Sequence, residues 1–205
     1  LQVLSLAMEK KIDCVIACAD AAVQFTLPPQ SLRERTLTLR QGQVIEMEEI
    51  ARILTACGYE RAEQTEGTGQ FSLRGGIIDF YSPSAPAPVR IEFWGDEIDT
   101  ISYYDIETQR RTDPAESVTI TPSVEVFTEN KPKLAKQLLA HAATLRGKNA
   151  AKARAVMEAE AEKLKNGLHI GSFDKYIGFI YDEVATLFDL SLIHISEPTR
   201  HLRIS

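Results

Sequence analysis

The feature that most constrains this sequence is a run of short alternating segments between residues 70 and 105. Apolar and polar residues alternate along FSLRGGIIDFY, VRIEFW and EIDTISYYD, which a proline-rich turn and a Gly-Asp pair separate. Alternation with a period of two predicts strands that place one face on a core, and turns this short predict antiparallel neighbours. We interpret Gly75-Gly76 as a bulge, or a close backbone approach, inside the first of three strands.

Segments on both sides of this run complete a small domain. RTLTLR and VTITP alternate as strands, and the apolar residues from Met47 to Cys57 recur at helical spacing before Gly58. A glycine suits the position just after a helix end. We therefore predict an α+β domain over residues 31–122, in which a helix packs on a small antiparallel sheet.

We interpret the segments on both sides of this domain as incomplete subdomains. Residues 1–29 predict a helix and a buried strand, IDCVIACA, as the end of an α/β subdomain. Residues 123–189 predict the helical start of another subdomain, with two helices separated at Gly147. LSLIHISEPTR resembles a translated adapter from shotgun sequencing libraries, so we expect Leu190–Ser205 to be an artefact.

Composition limits the classes of function. The chain is 44% hydrophobic and carries a net charge of −6, which excludes disorder and disfavours a broad phosphate-binding surface. There is no apolar run of membrane-spanning length and no signal-peptide pattern, so we expect a cytoplasmic chain, without membrane contact, whose beginning is missing. The odd set Cys14, Cys18 and Cys57 lacks paired spacing and predicts buried, reduced thiols.

No motif in the sequence points to catalysis. A phosphate-binding loop with its lysine is missing, and the glycines at 67 and 69 precede a strand instead of following one. Asp96, Glu97 and Asp99 are interpreted as a solvated turn, since a calcium site needs six or more oxygens from an organised loop. We predict no catalytic residue, metal site or cofactor for this chain.

One strand face is more informative. Alternation places Arg90, Glu92 and Trp94 on the face opposite the aliphatic residues, and Arg74 of the preceding strand can join them. An exposed tryptophan flanked by arginines is typical of a protein–protein hot spot. The alternative is that Trp94 folds over the sheet edge or against the first segment while Arg74 pairs with Glu92, and the residues alone leave both interpretations open.

These residues also carry a family resemblance. GQFSLRGGIIDFYSP and PVRIEFWGDEIDTISYYDIETQRR resemble the second domain of the bacterial transcription-repair coupling factors (Mfd), a domain shared with the excision-repair protein UvrB. The likeness runs from about Leu37 to Pro122. RGG where UvrB usually has RGD, DIETQRR, and the tail YIGFIYDEVATLFDL favour the coupling factors over UvrB.

The resemblance implies a module that docks UvrA, the damage-recognition ATPase of nucleotide excision repair, and so links stalled RNA polymerase to repair. The UvrA-facing residues of the family fall on Arg74, Arg90 and Trp94, with Trp94 at a position where Phe is more usual. Asp96 and Glu97 in the adjacent turn are added as candidates. The resemblance assigns RNA polymerase, DNA and ATP to other domains of the parent protein, whose motor motifs this chain lacks.

Because Arg90 and Trp94 are expected to lie off the core face, replacing either with alanine is expected to cost about 2–4 kcal/mol of affinity without unfolding the domain.

Two other interpretations remain open at this point. The chain could be a fragment of UvrB itself. It could also bind DNA through basic residues of the helical tail, although such a run on a helix is usually a solvated face. Those residues are Lys131, Lys133, Lys136, Arg146, Lys148, Lys152 and Arg154.

Overall fold

The computed structural model describes residues 1–8, 11–127, 130–168, 170 and 173–192. The α-helices are α1 Gln2–Met8, α2 Ala19–Ala22, α3 Pro29–Glu34, α4 Met47–Ala56, α5 Lys131–Thr144, α6 Ala150–Lys165, α7 Ile177–Ile180 and α8 Leu187–Leu192, with a 3-10 turn at Asp174–Tyr176. The strands are β1 Leu37–Arg40, β2 Glu60–Arg61, β3 Gln70–Arg74, β4 Ile77–Phe80, β5 Val89–Trp94, β6 Glu97–Tyr104, β7 Arg111–Pro114 and β8 Ser117–Ile120.

The strands form one large and one small sheet. The large sheet has the order β2-β3-β4-β5-β6-β7, in which all pairs are antiparallel except the short parallel pair β2–β3. The first and last strands, β1 and β8, pair antiparallel with each other. The predicted α+β class is confirmed, while β2 and β7 are additions that the alternation did not predict.

The glycine pair is a turn and not a bulge, so that interpretation was wrong. Arg74 pairs with Ile77, which leaves Gly75-Gly76 as the whole loop of the β3–β4 hairpin. Gly75 has a φ of 57°, which an L side chain rarely adopts. The expected close approach does occur, because a Cβ on Gly76 would lie 3.4 Å from the carbonyl oxygen of Phe93.

The bulge lies one hairpin further along the chain. Glu92 is opposite Thr100 and Phe93 is opposite Ile98, so β6 carries one extra residue, Asp99, between the two pairs. Beyond the bulge the alternation of β5 continues unbroken, and Trp94 therefore keeps the same face as Glu92.

One face of the large sheet and helix α4 enclose the main hydrophobic core. Ile50 and Leu54 of α4 are fully buried against strand residues such as Ile78 and Ile91. Gly58 ends the helix region with a φ of 85°, as the sequence predicted. The helix and both sheets thus share a single core. The opposite face of the large sheet does not contribute to this core.

The amino-terminal segment departs from the sequence prediction. Helix α1 is confirmed, but residues 11–18 form no strand, and Ile16 is almost completely exposed. No strand of the described residues lies alongside this segment to pair with it, so its apolar pattern alone does not make a strand.

The cysteine prediction holds for only one of the three residues. Cys57 is buried, and burial raises the pKa of its thiol. Cys14 and Cys18 are exposed, so their predicted burial was wrong. Both precede α2 in the segment that forms no strand, and no core covers it.

The helical tail folds as an antiparallel hairpin. Helices α5 and α6 bury Leu134, Leu138 and Leu164 against each other, and Gly147 lies between them with a φ of 104°. The predicted break at this glycine is confirmed. Residues 193–205 lie outside the described residues, so the adapter interpretation stays a prediction. Among the described helices, none combines the length and the apolar character needed to cross a membrane.

Candidate partner-binding site

Cross-strand pairing brings the predicted site residues onto one face of the large sheet, which we call the outer face. It faces away from α4, and successive pairs arrange its side chains in three rows across the strands. The first row is Ser72, Asp79, Arg90 and Ser102; the second is Arg74, Ile77, Glu92 and Thr100; the third is Trp94, Glu97 and Val44.

Asp79 lies at the centre of the first row and organises both predicted arginines. It is only 1% exposed, and its carboxylate accepts three hydrogen bonds from guanidinium groups. Arg90 donates from Nε to Oδ1 at 2.7 Å and from Nη2 to Oδ2 at 2.8 Å, while Arg74 donates from Nη2 to Oδ2 at 2.8 Å. Such charge-assisted, side-on pairs are the strong hydrogen bonds of proteins.

Arg90 is held on every side. Its guanidinium also donates to the backbone and side-chain oxygens of Gln109, and it lies 4.6 Å above the ring centroid of Tyr104. Hydrogen bonding to Asp79 raises the pKa of Arg90 above its usual range. Only 11% of the Arg90 side chain is exposed. Arg90 is therefore engaged within the fold, because the buried carboxylate of Asp79 needs it as a partner, and its role in binding another protein stays a prediction.

Arg74 has more freedom than Arg90. Its side chain is 48% exposed, and a single nitrogen binds the carboxylate of Asp79. The alternative pairing with Glu92 is wrong, because Glu92 forms its ion pair with Arg111 on the edge strand β7. Arg74, in the second row, therefore presents unused guanidinium N–H donors at the surface.

Trp94 stands at the end of β5 and is 83% exposed, so it does not fold over the sheet edge. The Gly95-Asp96 turn that follows closes the β5–β6 hairpin, with Gly95 at a φ of 61°. Asp96 and Glu97 are exposed beside it. A tryptophan side chain has only two rotatable bonds, and the hairpin fixes its backbone, so Trp94 loses little freedom when a partner covers it.

Only a weak signal in the sequence indicates the residues that hold the first row. Asp79 is a single charged residue inside the apolar strand IIDFY, and a buried charge of this kind requires a cation on a neighbouring strand. Nothing in the sequence predicted the contacts of Gln109 and Tyr104 with Arg90. Gln109 lies in a loop and Tyr104 at a strand end, and only the fold determines where these segments lie.

The basic residues of the helical tail show a structural role where their contacts are defined. Arg154 donates to the carbonyl oxygens of Ala142 and Leu145, and Arg146 donates to those of Ala143 and Leu145. These bonds satisfy backbone acceptors at the end of α5. Lys131 also donates from Nζ to the carbonyl oxygen of Gly167, so three of the seven candidate DNA-binding residues are engaged within the helical hairpin.

Comparison with known proteins identifies the domain. The family model described as "UvrB interaction domain" matches residues 37–125. The chain contains a UvrB interaction domain. The matched segment covers β1 through β8, and it includes the hairpin of Trp94 and the network around Asp79.

Similarity extends beyond this domain. A transcription-repair-coupling factor of Bacillus subtilis is 31% identical over 85% of the chain, and one of Myxococcus xanthus is 31% identical over 90%. One of Staphylococcus haemolyticus is 42% identical over 48% of the chain. The predicted relationship to the coupling factors is confirmed. The chain spans 16% and 15% of the first two relatives, and the UvrB interaction domain is the part for which a family model matches.

No group of three or more potential metal-binding side chains occurs in the part of the chain that the structure describes. The outer face presents an aromatic side chain, Trp94, a half-exposed guanidinium, Arg74, and the exposed carboxylates of Asp96 and Glu97.

Proposed function

We propose that this UvrB interaction domain binds UvrA through its outer face and so recruits UvrA to the site of a stalled RNA polymerase. The observation that carries the proposal is the exposure of Trp94, held by a tight hairpin on the same face of the sheet as the half-exposed Arg74. Tryptophan and arginine are the residue types that most often dominate binding energy at protein interfaces.

Each candidate residue has a distinct role in this proposal. Trp94 is the apolar anchor, and Arg74 turns its unused nitrogens toward an acceptor on UvrA. Asp96 and Glu97 add charge at the rim. Arg90 contributes by position, because its two bonds to Asp79 hold the carboxylate that in turn orients Arg74.

The proposal covers recruitment and no other step of repair. The proposal leaves the binding of RNA polymerase, DNA and ATP to other domains of the coupling factors, and it includes a cytoplasmic setting. The outer face therefore acts as an adaptor surface, and catalysis takes place elsewhere.

The decisive experiment is a titration of UvrA against the full 205-residue chain and its Trp94→Ala variant by calorimetry or biolayer interferometry. We expect wild-type binding and a loss of about 2–4 kcal/mol in the variant. Phe25→Ala is the matched control, since Phe25 is an exposed aromatic residue outside the outer face, and it should bind as the wild type does. Absence of binding by the folded wild-type chain, or equal binding by both variants, contradicts the proposal.

A further inference from the structure

Val44 is an exposed apolar residue whose backbone is firmly held. Its side chain is 74% exposed, although the residues around it are hydrogen-bonded to the start of β6. The N–H of Gly42 donates to the carbonyl oxygen of Ile98 at 2.8 Å, and the N–H of Ile45 donates to that of Asp96 at 2.8 Å. The segment thus adds a short extra edge to the sheet and fixes where Val44 points.

Val44 and Trp94 lie on the two sides of the same residue. Both pair with Glu97, Trp94 within the β5–β6 hairpin and Val44 through an isolated bridge. Neighbouring strands are about 4.8 Å apart, so the two apolar residues are separated by about 10 Å across the outer face. Ile45, the next residue, packs on the core, which is consistent with Val44 pointing outward.

The charges nearest this row are mainly acidic, and Arg40 is the one basic residue that lines the same cleft as Glu97 and Asp99. Asp96, Glu97 and Asp99 are exposed, and none of them has an ion pair within the described residues. A partner that covers the row must remove water from these carboxylates, and it binds only when it supplies positive charge to them.

We propose that Val44 and Trp94 form one apolar docking row with Asp96, Glu97 and Asp99 as its acidic rim, and that the partner surface is an apolar recess bordered by lysine or arginine. The proposal rests on the proposed function, since it describes the UvrA surface that the outer face would meet. It adds Val44 as a contact residue and gives the chemistry of the partner.

The apolar part is tested by measuring UvrA affinity for Val44→Ala and Val44→Lys in the full chain. We expect the dissociation constant to rise about three- to tenfold for the alanine variant and more than about thirtyfold for the lysine variant, which places a positive charge against a basic border. Val156→Lys is the control, because Val156 is an exposed valine on α6. It should bind UvrA as the wild type does.

The charged part is tested by the salt dependence of the association rate. The wild-type rate should fall as sodium chloride rises from about 50 to about 300 mM, because screening weakens attraction between opposite charges. The double variant Asp96→Asn/Glu97→Gln should associate more slowly at low salt and depend less on salt. If the double variant associates faster than the wild type at low salt, the partner surface does not have the proposed basic border.

These results separate the two proposals. If Trp94→Ala weakens binding while both Val44 variants bind as the wild type does, the docking row is wrong and the proposed function stands. If the substitutions at Trp94 and at Val44 all leave the UvrA affinity of a folded chain unchanged, the proposed function is wrong, and the docking row is wrong with it. Unchanged melting temperatures of the Val44 variants show that any loss of affinity arises at the surface, since that side chain is exposed.

Discussion

The guanidinium of Arg90 meets the carboxylate of Asp79 side-on, with two nitrogens 2.7 and 2.8 Å from the two carboxylate oxygens. The residues face each other on β5 and β4, and both side chains are nearly inaccessible to solvent. A buried ion pair adds little net stability over an apolar pair, but losing one member leaves an uncompensated charge. Arg90, which the sequence assigns to the binding of a partner, is therefore needed to keep the domain folded.

Removing the carboxylate is expected to destabilise the domain. Asp79→Ala should lower the free energy of unfolding by about 3 kcal/mol, because the buried guanidinium of Arg90 loses its acceptor. Urea denaturation monitored by circular dichroism measures this change. Asp113→Ala on the exposed strand β7 is the control and should change stability by less than about 0.5 kcal/mol. Equal effects of the two substitutions would mean that Arg90 is readily solvated.

The two arginines are expected to differ in their effect on stability. Arg90→Ala should cost about 3 kcal/mol, since it leaves Asp79 buried with one partner, whereas Arg74→Ala should cost about 0.5–1 kcal/mol because Arg74 is half exposed. The same urea experiment ranks them. This replaces the expectation from the sequence that Arg90→Ala leaves folding intact. A larger cost for Arg74 than for Arg90 would contradict the arrangement of the first row.

The fold was predictable where a local pattern decides the structure. Alternation predicted β5 and β6, and helical spacing with Gly58 predicted α4, because each pattern has one buried face. The same reasoning failed for residues 11–18, whose apolar run needs a neighbouring strand that the described residues do not provide. Strand β7 carries no apolar face at all, so backbone bonds to β6 and the ion pair between Arg111 and Glu92 hold it in place.

The site was predictable as a face and not as a set of contacts. Period-two alternation correctly placed Arg90 and Trp94 on the same side of β5. Whether each is free depends on what lies opposite, and Asp79 and Val44 come from segments whose register the sequence does not specify. Arg90 and Trp94 lie on the face that the sequence predicted, but only Trp94 is largely exposed.

Gly58 gives a test of the junction between α4 and the strands. It has a φ of 85°, and a Cβ at this position would lie 2.5 Å from Cγ2 of Val124. Gly42 has a similar φ of 78° and open space around it, so Gly42→Ala should cost only the backbone penalty of about 1 kcal/mol. Gly58→Ala should cost about 1 kcal/mol more, because it adds a steric clash to that penalty.

Thermal unfolding of the two alanine variants measures this difference. Combining Gly58→Ala with Val124→Ala removes the methyl groups that cause the clash. In that background the glycine substitution should cost no more than Gly42→Ala does. A persistent extra cost would place the strain elsewhere in the turn.

Tyr104 makes the stability of the domain sensitive to alkaline pH. Burial, together with the charge of Asp79, raises the pKa of Tyr104 from 10.0 to about 12. The folded state therefore keeps the phenolic proton over a range in which the unfolded chain releases it, so this stability is complete below pH 10 and is lost as the pH rises toward 12. For this one group the loss between pH 8 and pH 11 is about 1 kcal/mol.

Comparing the wild type with Tyr104→Phe by urea denaturation at pH 8 and pH 11 isolates that contribution. The phenylalanine keeps the ring that lies under Arg90 and removes only the titrating hydroxyl, which donates to the carbonyl oxygen of Thr65. The variant should therefore lose about 1 kcal/mol less than the wild type over this interval, whatever the other tyrosines and lysines contribute to both. Parallel losses in the two proteins would mean that the hydroxyl of Tyr104 titrates in the folded domain as it does in the unfolded chain.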